Sequence, residues 1–178
     1  MRSYDPVTVT LHWLTAALVA ALWVVGQTAD YLPEHSRIQT FVWSSHVAFG
    51  FALAAIIAFR LVWRATSGRR LPAADSGMLH LVAKSTHYLL YALLLVTLSL
   101  GIANALVRGH DMYGLFALPQ LGDKDWKKPV TQWHELAANA VMIVAAVHAS
   151  AALVHHYVWR DGLLLRMTGS NGGREELG

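Results

Sequence analysis

Four long apolar stretches dominate the chain, at residues 7–29, 41–63, 79–107 and 134–159. Each exceeds the roughly 20 residues that a helix rising 1.5 Å per residue needs to cross a bilayer. Polar positions collect between them, at 30–40, at 64–78 with the breakers Ser67-Gly68 and Pro72, and at 108–133. The pattern predicts an all-α membrane protein, a bundle of four transmembrane helices. Residues 1–167 form the membrane domain, and the Gly-rich segment 168–178 is expected to be a disordered tail. The first stretch is longer than the apolar core of a signal peptide and has no small-x-small site closing it, so it is expected to stay as helix 1.

Composition strengthens this reading. Of 178 residues, 55% are hydrophobic and 14% charged, too little polar surface for an ordinary soluble domain. The net charge of +3 does not mark a nucleic-acid stripe, because the basic residues sit at the ends of apolar runs. Cysteine is absent, which excludes disulfides, iron–sulfur clusters, thiolate metal sites and covalent attachment of c-type haem. Any metal or haem must be held by histidine, methionine or carboxylate.

Four spans put both termini on one side. That side, helix ends included, holds Arg2, Arg60, Arg64, Arg69, Arg70, Lys84, Arg160, Arg166 and Arg174, and the other holds Arg37, Arg108, Lys124, Lys127 and Lys128. The bias predicts cytoplasmic termini, with helix 4 running inward. Trp43, Trp63, Tyr157 and Trp159 near span ends fit an interfacial aromatic belt.

The histidines change the picture from structure to chemistry. His134 and His148 are 14 residues apart, which in a helix is about 40° in direction and roughly 21 Å in height. His155 continues their stripe about 10 Å lower, and His156 points away from it. An ionisable stripe facing lipid is costly, so it is expected to face the bundle interior. In the antiparallel topology His134 is level with His46, and His148 with His12. A pair of neutral imidazoles facing across a bundle can ligate haem iron from both sides, the second nitrogen of each ring being hydrogen-bonded to fix its tautomer. Two pairs at two depths make a path for electrons through the membrane.

Other residues have weaker claims. His87 on helix 3 is a candidate for a quinone or a haem propionate, and His155 for a quinone headgroup and its protons. His156, Tyr157 and Trp159 read as interface anchors, His35 and His110 as surface residues, and the methionines as packing. Glu135 lacks the H-E-x-x-H spacing of a zinc protease and is expected to partner a ring nitrogen or the helix N-terminus.

TLHWL, HVAFGFALAAIIAFRLVWR, YGLFALP and WHELAANAVMIVAAVHASAALVHHYVWRDGLLLRM together resemble the prokaryotic cytochrome b561 family, and within it the superoxide oxidase branch. One difference is Leu100-Gly101-Ile102, where many relatives carry Ser-Gly-Trp. The resemblance implies two b haems, an outer one on His46 and His134 and an inner one on His12 and His148. It further implies oxidation of superoxide outside and reduction of ubiquinone inside, with His155 and His87 near the quinone. Arg108, Lys127 and Lys128 are candidates for steering the superoxide anion. The segment from Arg108 to Glu135 balances four positive against four negative charges, so steering requires a local patch such as Lys127-Lys128. Two other classes fit the residues, namely a cytochrome b anchor serving a partner dehydrogenase or hydrogenase, and a histidine-lined metal or proton transporter.

Overall fold

A computed structural model describes residues 3–34, 36–69, 71–72 and 77–168. Residues 169–178 of the expected 168–178 tail, together with Arg2, His35 and Arg70, lie outside the described residues. Four membrane-length helices are present: α1 (Pro6–Thr28), α2 (Arg37–Thr66), α3 (Gly77–Arg108) and α4 (Lys127–Val154). A two-stranded hairpin, β1 (Asp111–Met112) and β2 (Phe116–Ala117), lies between α3 and α4.

Local chemistry sets the helix ends. Asp5 caps α1 by accepting from the Thr8 N–H at 2.9 Å, and Pro6 follows where no intrahelical N–H is needed. Ser36 caps α2 in the same way, accepting from the Gln39 N–H at 3.1 Å. Gly109, at φ +59°, closes α3. Its N–H bonds the Leu106 carbonyl and the His110 N–H bonds the Ala105 carbonyl, a left-handed closure that favours glycine.

Helix 4 starts seven residues before the expected position, at Lys127 rather than His134. Apolarity marks where a helix enters the hydrocarbon, and this helix simply begins above it, with Lys127, Lys128 and Pro129 in its first turn. Its other end widens into a π turn, His155–Trp159, stopped by Arg160 in the left-handed conformation at φ +54°.

The most extensive helix contact is α3 with α4, followed by α1 with α2. Lipid tails are as apolar as leucine, so fit and hydrogen bonds must join the helices. Small residues accordingly occupy tight contacts, with Ser44, Ala105 and Ala137 buried beside Leu53, Ile57 and Val141. The Trp23 indole donates to Asn139 Oδ1 at 2.8 Å, tying α1 to α4. Large apolar side chains such as Val24, Phe59, Leu81, Ile143 and Val147 face outward, as a lipid-facing surface requires.

Both described termini meet at one end of the bundle, here called the terminal end. Tyr4 N–H bonds the Arg166 carbonyl, and the Trp13 indole donates to the Met167 carbonyl at 2.7 Å. Asp5 also accepts from the Trp63 indole and the Arg69 N–H, fastening the 2–3 connection to the same corner. At the opposite end, Ser44 Oγ donates to the Asp111 carbonyl at 2.9 Å and accepts from the Tyr113 N–H at 3.0 Å. A serine fully shielded from solvent thus pins the hairpin to α2.

Candidate haem and redox site

Two imidazole pairs lie inside the bundle at two levels. Toward the opposite end, His46 on α2 faces His134 on α4, with ring centroids 6.2 Å apart and planes at 85°. Toward the terminal end, His12 on α1 faces His148 on α4 at 6.4 Å and 72°. Iron held by one nitrogen of each imidazole at about 2 Å would leave the ring centroids roughly 6 Å apart. Both separations therefore suit a pair of axial ligands. The α1 and α4 backbones touch only slightly, and α2 and α4 less still. The histidines thus face each other across helices that stand apart, as a planar group between them requires.

The His46–His134 pair is preset for such a ligand. His134 Nδ1–H donates to the Thr97 carbonyl of α3 at 3.0 Å, which leaves Nε2 with its lone pair. Glu135, expected to partner a ring nitrogen or the helix N-terminus, is not the acceptor for His134, which uses a backbone carbonyl on the neighbouring helix, and it stands eight residues into α4. His46 Nδ1 is buried without a hydrogen bond of good geometry, the Leu22 carbonyl being the backbone acceptor turned toward it. Gly101 has no alternative here. A Cβ at that position would stand 2.9 Å from His134 Cε1, so the ring would have to move.

The His12–His148 pair is arranged differently. Arg60 of α2 donates to His12 Nδ1 at 3.1 Å. A guanidinium has no acceptor, so Nδ1 keeps its lone pair and a neutral ring carries its proton on Nε2. Ligation through Nε2 requires Arg60 to release Nδ1 and the ring to change tautomer. His87 of α3 adds a third imidazole at this level, 5.2 Å from the His148 ring centroid. Arg60, Thr97 and Gly101 were invisible as site residues in the sequence, because only the fold brings them to the histidines.

His155 is buried in the π turn, with its Nδ1 bonded to Asp161 Oδ2 and its ring 4.3 Å from that of Trp159. Asp161 is well placed for this by the left-handed Arg160, which turns the chain back on itself. Burial opposes ionisation of Asp161, but the bonds from His155 and the Leu163 N–H outweigh it, aided by the nearby Arg166 guanidinium, and hold the carboxyl below its usual range.

At the opposite end a cavity of about 350 Å³ is lined by Gln39, Thr40, Trp43, Arg108, Gly109, His110, Asp111 and Lys127. Trp43 in its wall packs edge-on against His46, centroids 5.5 Å apart, so the cavity lies next to the outer pair. Of the three steering candidates, Arg108 and Lys127 line it and Lys128 does not. Arg108 is anchored by bonds to Asn104 Oδ1 (3.0 Å) and Thr131 Oγ1 (2.7 Å). His110, expected on the surface, is half-buried, with Nε2 enclosed and unbonded. Burial pushes its pKa below the ordinary value, the Asp111 carboxylate opposing and Arg108 adding to the effect. The Gly109 closure tucks His110 against the bundle, a turn geometry its sequence position did not reveal. Among the described residues no three histidine, aspartate or glutamate side chains converge as a conventional metal-ion site would need.

Comparison with known proteins identifies the family. A family model described as prokaryotic cytochrome b561 matches residues 3–170. A cytochrome b562 of Cereibacter sphaeroides is 32% identical over 168 residues, covering 92% of this chain and 94% of that protein. A probable superoxide oxidase of Yersinia pestis is 28% identical over 175 residues, covering 93% and 96%. The cytochrome b561 homolog 1 of Escherichia coli K12 is 27% identical over 175 residues, covering 94% and 97%. With four membrane-length helices, facing imidazole pairs and a family match over nearly its whole length, this chain belongs to the prokaryotic cytochrome b561 family, multi-pass membrane proteins that bind haem b and carry electrons.

Proposed function

We propose that the protein is a di-haem superoxide:ubiquinone oxidoreductase, with His46 and His134 as axial ligands of the outer haem and His12 and His148 as those of the inner one. The observation that carries this reading is the pair of imidazole pairs, 6.2 and 6.4 Å apart at two levels of one bundle. Haem b held by these histidines would supply one-electron transfer.

The substrate side rests on the cavity beside the outer pair. Arg108, held by its bonds to Asn104 and Thr131, and Lys127 bring two positive charges to it against the one carboxylate of Asp111, a local excess suited to drawing in a small anion, and the superoxide oxidase relative adds support by likeness. Two superoxide anions each lose an electron and leave as oxygen. One ubiquinone takes up the two electrons and two protons and becomes ubiquinol. At the terminal end His155, oriented by Asp161, is the proposed proton donor to quinone, and His87 beside His148 is the second candidate. The arginine and lysine bias supports a cytoplasmic terminal end, and membership of the prokaryotic cytochrome b561 family supports a bacterial membrane.

Stopped-flow mixing of the purified protein with superoxide tests this reading. Haem reduction followed by ubiquinone-dependent reoxidation is expected from the protein alone. Reduction only by a co-purifying hydrophilic dehydrogenase or hydrogenase would instead make the chain an anchor subunit for that redox partner.

A further inference from the structure

Arg60 is a half-buried cation in a helix bundle that offers it no anion. Its guanidinium donates to His12 Nδ1 at 3.1 Å and lies 5.6 Å from the Tyr91 ring centroid, with Arg64 on the same ring at 6.0 Å. Among the described residues no carboxylate pairs with it. The sequence shows why. The four membrane helices contain a single acidic residue, Glu135, which adjoins His134 at the other level. The groups facing Arg60 from the neighbouring helices are His12, His87, His148 and Tyr91, so the site gathers donors and cations without a counter-charge.

An uncompensated charge within a membrane bundle is expensive and is retained where it meets a functional anion. An arginine that merely snorkels turns its head to the interface. Arg60 turns inward instead, onto the ring of the proposed inner ligand. Haem b carries two propionate carboxylates, and a guanidinium is the side chain best matched to a carboxylate.

We propose that Arg60, flanked by Arg64 and Tyr91, binds a propionate carboxylate of the haem held between His12 and His148. On loading, the guanidinium transfers from His12 Nδ1 to the carboxylate, which frees the ring to place a lone pair on Nε2. Arg60 is therefore both a cofactor-binding residue and the group that sets the tautomer of His12. This inference rests on the di-haem reading given above.

Redox titration of the purified holoprotein tests it. In Arg60→Gln the inner haem is expected to remain with a lowered midpoint potential, because a positive charge that favours the reduced form is gone. Its potential should also become pH-dependent near neutrality, as a propionate without its partner takes up a proton on reduction. Arg60→Lys should restore most of both properties. An Arg60→Gln protein with two haems and an unchanged inner potential and pH dependence would overturn the proposal and leave Arg60 only its contacts with His12 and Tyr91.

Should Arg60→Gln lose the inner haem, Arg60→Lys is expected to retain it, and loss in both alike would overturn the proposal in favour of a packing role. A second measurement compares loading of apoprotein with haem and with its dimethyl ester. The wild type should favour haem at the inner site by about tenfold or more, and Arg60→Gln should lose that preference. A preference that survives in Arg60→Gln would contradict the proposal. Absence of b-haem bands from the wild type would instead sink the di-haem reading itself.

Discussion

At the residue scale, the site depends on groups that act through the histidines. Gly101 is the sharpest case, since a methyl group there would meet the His134 ring at 2.9 Å. Gly101→Ala is expected to displace the ring and diminish the outer haem selectively, seen as loss of one component in a redox titration. Lys127 and Lys128 provide a second contrast. Only Lys127 lines the cavity, so Lys127→Gln should slow haem reduction by superoxide about threefold to tenfold at low salt and flatten its ionic-strength dependence. Lys128→Gln should change little. Equal effects of the two substitutions would point to general loop charge. The histidine spacing made the four candidate ligands legible in the sequence, because helical periodicity fixes both direction and height. Thr97, Gly101 and Arg60 carry no such signal, since their roles arise from neighbours 37, 33 and 48 positions away in the chain.

At the element scale, Asp5 joins three pieces of the terminal end. It caps α1 through Thr8 and receives bonds from the Trp63 indole and the Arg69 N–H. Burial opposes ionisation of its carboxyl, but these bonds together more than offset that and hold its pKa far below the usual range. The depressed value fixes the sign of the pH effect. The stabilisation is fully present above the unfolded aspartate value near 4, and it is lost as the pH falls below that toward the folded value. Thermal unfolding in detergent should therefore show a lower midpoint at pH 3 than at pH 6, with a smaller drop in Asp5→Asn. Asp5→Ala at neutral pH should cost about 1–2 kcal/mol, the usual scale for a lost N-cap. The helices themselves were legible from apolar runs to within a few residues at most ends. The start of α4 was not, because its first two turns are polar and lie beyond the apolar run. The π turn at 155–159 was equally hidden, being specified by Arg160 and by the return of Asp161 to His155.

At the scale of the whole molecule, one helix organises the chain. α4 supplies a histidine to each pair, and α1 and α2 each supply one partner, so two levels follow from antiparallel topology alone. The meeting of both termini at one end is the geometric counterpart of an even number of spans. The electron donor was not legible in this way. The proposed donor, a small anion, leaves no motif, and its case rests on a cavity assembled from α2, the 108–111 segment and the first turn of α4.

The most direct test of the two-level arrangement is haem stoichiometry per chain, by pyridine haemochrome, with redox titration of the wild type and of His12→Ala, His46→Ala, His134→Ala and His148→Ala. Two haems are expected in the wild type and one in each variant, with His46→Ala and His134→Ala losing the same redox component and His12→Ala and His148→Ala losing the other. Two haems retained in all four variants, or losses that pair the histidines differently, would contradict it.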